Sequence, residues 1–329
     1  MFRQRTIPLF FALDRAILKG LLLVSAVIAS LSPLLASEND IWLIDSHHAQ
    51  RCADKSLSQE SLHVFKLSEA NNWTPSSPNE FLASQNPEVA TVFLFHGNWT
   101  TVNQAVQEGM SFHRQLKQVE KDPVEGNVVK SSSCRLVIWA WPSERILPCA
   151  RKDIRLKAAW SDTQGGYVAD LVSQFPPKSR VTFVGFSFGA RIAMAATELL
   201  AGGTVEGFQI APSRLTGLEP TLNAVLLAPA FDQFWLSPNQ RFGQALDLIN
   251  KIQVNYNSQD GSLRFYPLLY GLGGPKAIGA TGIPLNTIST SNRPKITSTD
   301  MRRIVGKEHS IFQYIGTSLL QKQMAAILE

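Results

Sequence analysis

The chain has 329 residues, 44% of them hydrophobic and 17% charged, enough apolar material for one large domain and too much for a disordered chain. Its formal charge of +5 is unevenly placed: Arg3, Arg5, Arg15 and Lys19 against Asp14 fall in residues 1–36, which leaves +2 for the rest. A body so near neutral, with no basic cluster, excludes an electrostatic footprint for nucleic acid.

Residues 1–36 combine this charged start with the apolar run L-L-L-V-S-A-V-I-A-S-L-S-P-L-L-A, Leu21 to Ala36, and small residues where a signal peptidase cuts. The run is short of the roughly 20 apolar residues a membrane span needs, and Pro33 interrupts it. The expectation is a signal peptide cleaved after Ala29 or Ala36 and an exported protein, periplasmic or extracellular. The alternative is an uncleaved N-terminal anchor that associates the protein with a membrane.

Residues 37–88 read as an N-terminal arm, Ser-, Asn- and Pro-rich around N-N-W-T-P-S-S-P-N-E, with edge strands at Ile41 to Ile44 and Leu62 to Leu67. From residue 89 the pattern changes. Short β-branched or aromatic runs recur at Ala90 to Phe95, Arg135 to Trp141, Val181 to Phe186, Ala224 to Leu227 and Ile252 to Tyr256, as strands buried on both faces should. Helical spacing fills Val102 to Val119, Ile154 to Phe175, Phe188 to Leu200, Phe242 to Lys251 and Ile311 to Leu328. Alternation of this kind predicts, over residues 89–329, an α/β domain with a mostly parallel central sheet and helices on both faces. Only Ala228 to Asn250 separate two of the strands, too few residues for a large cap domain.

In such sheets, sites form outside the carboxyl ends of the strands, and three of these ends carry polar residues. After Phe95 comes H-G-N-W: the Asn98 N–H is a candidate oxyanion donor, Trp99 a candidate substrate contact, and His96 a residue that orders the loop. Trp139 and Trp141 share one face of their strand, and Trp141, just before Pro142, is the better pocket candidate. Asp162, in W-S-D-T-Q-G-G, reads as a residue that caps or turns a helix.

The stretch V-G-F-S-F-G-A-R places Ser187 on a turn between a strand and a helix, where Gly185 and Gly189 remove side chains that would collide. Its hydroxyl is exposed at the sheet edge, and the Phe188 N–H at the helix start is the second oxyanion donor. A serine needs a histidine to take its proton and a carboxylate to fix the imidazole tautomer. Of six histidines, His309 alone follows every core strand and directly precedes the terminal helix, the position expected in the order Ser, acid, His. The acid is Asp260, in S-Q-D-G, or alternatively Asp232, in L-L-A-P-A-F-D; the later strand favours Asp260. Phe231, Phe234 and Trp235 are expected to form one wall of a fairly open substrate site.

Cys52, Cys134 and Cys149 are an odd count that allows one disulfide and one thiol, without fixing the pairing. None lies in a C-x-x-C, and no metal or cofactor is expected.

The segments F-L-F-H-G-N, W-A-W-P-S, V-G-F-S-F-G-A-R, L-L-A-P-A-F-D and Y-N-S-Q-D-G-S-L, across Ala90 to Gly274, resemble the α/β-hydrolase superfamily and within it a bacterial branch of serine hydrolases. That resemblance implies Ser187 as nucleophile, Asp260 or Asp232 as acid and His309 as base, with no settled substrate. The loop departs from the HGGG type of many esterases. The expected function is an exported serine hydrolase acting on a small-molecule ester or thioester through an acyl-enzyme. Alternatives are a non-catalytic binding or interaction protein on the same fold, and an acyltransferase.

Overall fold

The computed structural model describes residues 40–49, 57–119 and 134–328; the expected leader, residues 1–36, and Cys52 lie outside the described residues. Nine strands form one sheet: β1 (Ile41–Asp45), β2 (His63–Leu67), β3 (Trp73–Ser76), β4 (Thr91–Phe95), β5 (Arg135–Ala140), β6 (Arg180–Phe186), β7 (Thr221–Leu227), β8 (Ile249–Tyr256) and β9 (Ile296–Asp300). Their order is β3-β2-β1-β5-β4-β6-β7-β8-β9. The pairs from β1 to β9 are all parallel, and only β1–β2 and β2–β3 are antiparallel. Every residue of β4 and β5 is buried, which explains why these strands read as continuous apolar runs.

Residues 37–88 are less of an appendage than their composition predicts. β1 lies inside the sheet, between β2 and β5, and Glu38–Glu329 form one unit. The arm also holds a short helix, α1 (Pro78–Ala83), whose start is written locally: Ser77 accepts from the Glu80 N–H at 3.1 Å, and Pro78 occupies the first turn.

The main helices are α2 (Val102–Val119), α3 (Ala150–Val172) and α4 (Phe188–Leu200). At the start of α2, the Thr101 N–H donates to Gln104 Oε1 at 2.9 Å, while the Gln104 N–H reaches Thr101 Oγ1 at 3.3 Å. α4 is buried along its whole length and packs against α3. Asp162 neither caps nor turns a helix. It sits within α3, fully buried, and its carboxylate takes a two-point contact at 2.8 and 2.5 Å from Arg191 on α4.

Two helical expectations are corrected. Within Phe242 to Lys251 only Ala245–Leu248 is helical, a single turn, because Ile249 already begins β8 and pairs with Leu222. The terminal helix is two, α5 (Ile311–Ile315) and α6 (Ser318–Leu328), broken where the Thr317 hydroxyl accepts from the Leu320 N–H at 3.2 Å. No helix among the described residues is long and apolar enough to cross a membrane.

Candidate active site

Ser187 sits between β6 and α4 with φ 55° and ψ −116°, a conformation that costs a non-glycine residue roughly 1–3 kcal/mol. The surroundings hold it there. Its N–H donates to the Leu227 carbonyl at 3.0 Å, and its carbonyl accepts from Ala190 and Ala230. The flanking glycines are dictated by contact: a Cβ on Gly185 would lie 2.5 Å from Ala190 Cα, and one on Gly189 would lie 2.1 Å from the Phe95 carbonyl oxygen. The helix can approach the sheet only without those side chains.

His309 reaches this turn from the loop before α5. Its Nδ1 is 2.7 Å from Asp260 Oδ2 and its Nε2 is 2.9 Å from Ser187 Oγ. A carboxylate only accepts, so Nδ1 carries the proton and the neutral ring offers Nε2 as acceptor to the serine hydroxyl. Asp260 follows β8, and its Oδ1 is fixed by the N–H groups of Ser262 and Leu263, each at 2.8 Å. The Phe186 ring, 4.8 Å from the imidazole, packs against its face. Asp232 is not brought to His309: its Oδ1 accepts from the Phe234 N–H at 2.9 Å, and its backbone bridges to Ala277, so it shapes a turn.

The loop after β4 is held from beneath. His96 Nδ1–H donates to the Gly97 carbonyl at 2.9 Å, its Nε2 accepts from the Trp141 N–H at 3.1 Å, and the two rings stack at 5.6 Å. Burial drives the imidazole pKa down to about 4, so His96 is a neutral strut. The N–H groups of Trp99 and Thr100 both go to Ser143, on its carbonyl and its Oγ. Those of Asn98 and Phe188 donate to nothing among the described residues, and both residues border the space in front of Ser187.

That space is a cavity of about 390 Å³. Trp99 lines it, half-exposed, with its Nε1–H on Asp153 at 2.8 Å. The other predicted wall residues lie elsewhere. Trp141 is fully buried beneath His96, where it closes the strand end, and Phe231 is fully buried in the core. Trp235 packs against the guanidinium groups of Arg191 and Arg241, at 4.8 and 5.0 Å, and stacks on Phe231; Phe234 is exposed away from the cavity. Their segment is drawn aside by the Asp232–Ala277 bridge. The wall comes instead from the 3-10 segment Leu263–Leu269, through Leu263, Phe265 and Tyr266, and from Ile311 and Phe312 of α5.

Glu108 of α2 also faces the cavity. It is 9% exposed, its Oε2 has no hydrogen-bond partner among the described residues, and burial raises its pKa to about 7. Below the unfolded value near 4.5 both states hold the proton and no penalty exists. As pH rises the unfolded chain ionises first, so stability is lost progressively, reaching on the order of 3 kcal/mol above pH 7. Glu108→Gln is therefore expected to raise Tm in scanning calorimetry at about pH 8 and to change it little near pH 4. An equal shift at both pH values contradicts this account. The signal was present in the sequence, since Glu108 falls on the apolar face of its helix with Ala105 and Phe112.

No protein-family model matches the chain, and no curated protein matches it in sequence. Among solved structures it is similar to acyl-protein thioesterase 2 of Zea mays, at 14% identity and TM-score 0.38, over 75% of this chain and 96% of that one. It is also similar to esterase B from Lactobacillus rhamnosis in its C6-C4 SN3 inhibited form, at 13% identity and TM-score 0.37, over 95% of this chain and 97% of that one. The strand order and the turn that carries Ser187 give the chain the α/β-hydrolase fold, and the described residues include no large cap domain.

Proposed function

We propose that the protein is a serine hydrolase of small carboxylic esters or thioesters. The observation that carries this reading is the unbroken relay Asp260–His309–Ser187, at 2.7 and 2.9 Å, ending on a strained turn at the mouth of a cavity. A turn that served packing alone has no need of an aligned imidazole backed by a buried carboxylate.

In this mechanism Ser187 Oγ attacks the carbonyl carbon of the ester while His309 Nε2 takes the hydroxyl proton. The carbonyl oxygen gains the negative charge and is met by the Asn98 and Phe188 N–H groups, which are free for it. Asp260 does not take a proton; it fixes the tautomer and stabilises the imidazolium. The tetrahedral intermediate collapses with cleavage of the bond to the alcohol or thiol, and His309 returns the proton to that leaving group. Water then enters, loses a proton to His309 and attacks the acyl carbon, and the second tetrahedral intermediate collapses as His309 returns that proton to the departing Ser187 Oγ, which releases the carboxylic acid.

A short-acyl p-nitrophenyl ester mixed rapidly with the protein is expected to give a burst of nitrophenolate equal to the enzyme concentration, followed by slower turnover. Linear release from the first turnover at a rate indifferent to Ser187→Ala overturns the reading.

The proposal extends to export, supported by the charged start, the short apolar run and the small residues within positions 1–36. Mass spectrometry of the protein from its native host is expected to find a mature start between Ser30 and Ser37. An intact Met1 in a membrane fraction points to the anchor instead.

A further inference from the structure

The cavity in front of Ser187 is mostly aromatic and aliphatic, yet it keeps one carboxyl group that nothing satisfies. Glu108 lies on the inner face of α2, nine-tenths buried, with Oε2 shielded from solvent and without a hydrogen-bond partner among the described residues. Among the described residues no lysine or arginine lines the cavity, and the one basic side chain that does, His309, is already engaged by Asp260 and Ser187. The polar neighbours on the same wall, Thr100 and Gln104, are neutral. A buried acid with no partner weakens the fold, so its place in the cavity calls for a group that arrives with the ligand.

We propose that Glu108 is a specificity-determining residue that selects esters carrying an ammonium group, which it pairs inside the Ser187 cavity. The inference rests on the hydrolase reading for the term "ester" but not for the binding of the cation. Three features fit a cation and not an anion or a plain alkyl chain. The carboxyl is the one acidic side chain among the described residues that line the cavity, and its Oε2 lacks a donor. The cavity wall includes Trp99, Phe265 and Tyr266, and such rings attract cations through their quadrupole, as the guanidinium groups of Arg145 over Trp99 at 5.6 Å and of Arg264 over Phe265 at 5.0 Å show. Burial pushes the carboxyl up to about 7, a shift that an adjacent positive charge reverses, so the ligand converts a cost into a contact.

The ammonium group can belong to the acyl part or to the alcohol part of the ester, and two matched pairs separate these sources. On the acyl side, p-nitrophenyl β-alanine ester is compared with p-nitrophenyl butanoate, its uncharged isostere. On the alcohol side, dimethylaminoethyl acetate is compared with isoamyl acetate. At neutral pH the full-length protein is expected to favour the ammonium member of one pair by about 10- to 100-fold in kcat/KM, the scale of a hydrogen bond to a charged group. In Glu108→Gln, which keeps the shape and removes the charge, the ratio is expected to fall to about one. The pair that responds identifies which part of the ester carries the charge. A ratio at or below one in both pairs, or a preference that survives Glu108→Gln, overturns the proposal.

Binding of butylammonium and of butanol, followed by calorimetry on the wild-type protein, reads the same property without hydrolysis. Tighter binding of butylammonium supports the proposal even if neither ester pair is turned over, a result that counts against the hydrolase reading alone. Equal or weaker binding of butylammonium overturns the proposal even if ester turnover is fast and Glu108→Gln fails to fold.

Discussion

Ser187→Ala is expected to lower kcat by about 10⁶-fold on any ester the protein hydrolyses, while the folded state persists. The loss is large because the nucleophile acts as one unit with His309 and Asp260, so removing it makes the other two idle. What remains, roughly 10³-fold over water, comes from the Asn98 and Phe188 N–H groups and from binding. Stability should change little, since the hydroxyl's hydrogen bond is to the imidazole at the cavity and the β-carbon stays. Alanine must still adopt φ 55°, at about the cost serine bears. Steady-state kinetics with circular dichroism checks both halves; a loss below tenfold in kcat removes Ser187 from the chemistry.

The second large effect separates the two acids. Asp260→Asn is expected to lower kcat by about 10⁴-fold, and Asp232→Asn by no more than a few-fold. An asparagine at 260 can still accept from the Ser262 and Leu263 N–H groups through its oxygen, so the loop keeps its shape. Its NH₂ then faces His309 Nδ1, which must become the acceptor, and the proton moves to Nε2. There it blocks the approach of the Ser187 proton. Asp232 fixes only the turn at Phe234, a role asparagine performs nearly as well. Single-turnover rates decide between them, and the reverse ranking moves the acid to Asp232.

Much of this site was legible in the sequence, because its parts are local signals at strand ends. A Cβ on Gly185 would clash with Ala190, five residues on, and one on Gly189 with the Phe95 carbonyl at the end of β4, and the glycine pair that results stands around the serine in the sequence itself. His309 and Asp260 were findable by chain order, Asp260 because it follows a core strand in a loop of small and polar residues and His309 because it comes after every strand that the sequence signals and directly before the terminal helix. The strand alternation was equally plain where strands are buried on both faces, as β4 and β5 are.

What escaped depends on partners distant in sequence. β3 and β9 read W-T-P-S and I-T-S-T-D, too polar to signal strands, and they form because β2 and β8 offer edges to pair with. Trp141, Phe231 and Trp235 are apolar whether they line a cavity or fill a core, and composition does not distinguish the two. Trp235 was decided by Arg191, far from it in the chain, and by Arg241, whose guanidinium groups both lie against its ring. The cavity wall from Leu263 to Leu269 carries apolar residues without strand or helix periodicity, and Pro267 lies within it. Glu108 was within reach of periodicity, as an acid on an apolar helix face, and only the structure shows that this face borders the serine.

The most direct test of the account is covalent: the purified protein is treated with a fluorophosphonate probe and the modified peptide is mapped by mass spectrometry. The account predicts one phosphonyl group per chain, on Ser187, with the fluoride displaced and labelling abolished in Ser187→Ala. Labelling on another residue, or none at a probe concentration that saturates a reactive serine, contradicts it.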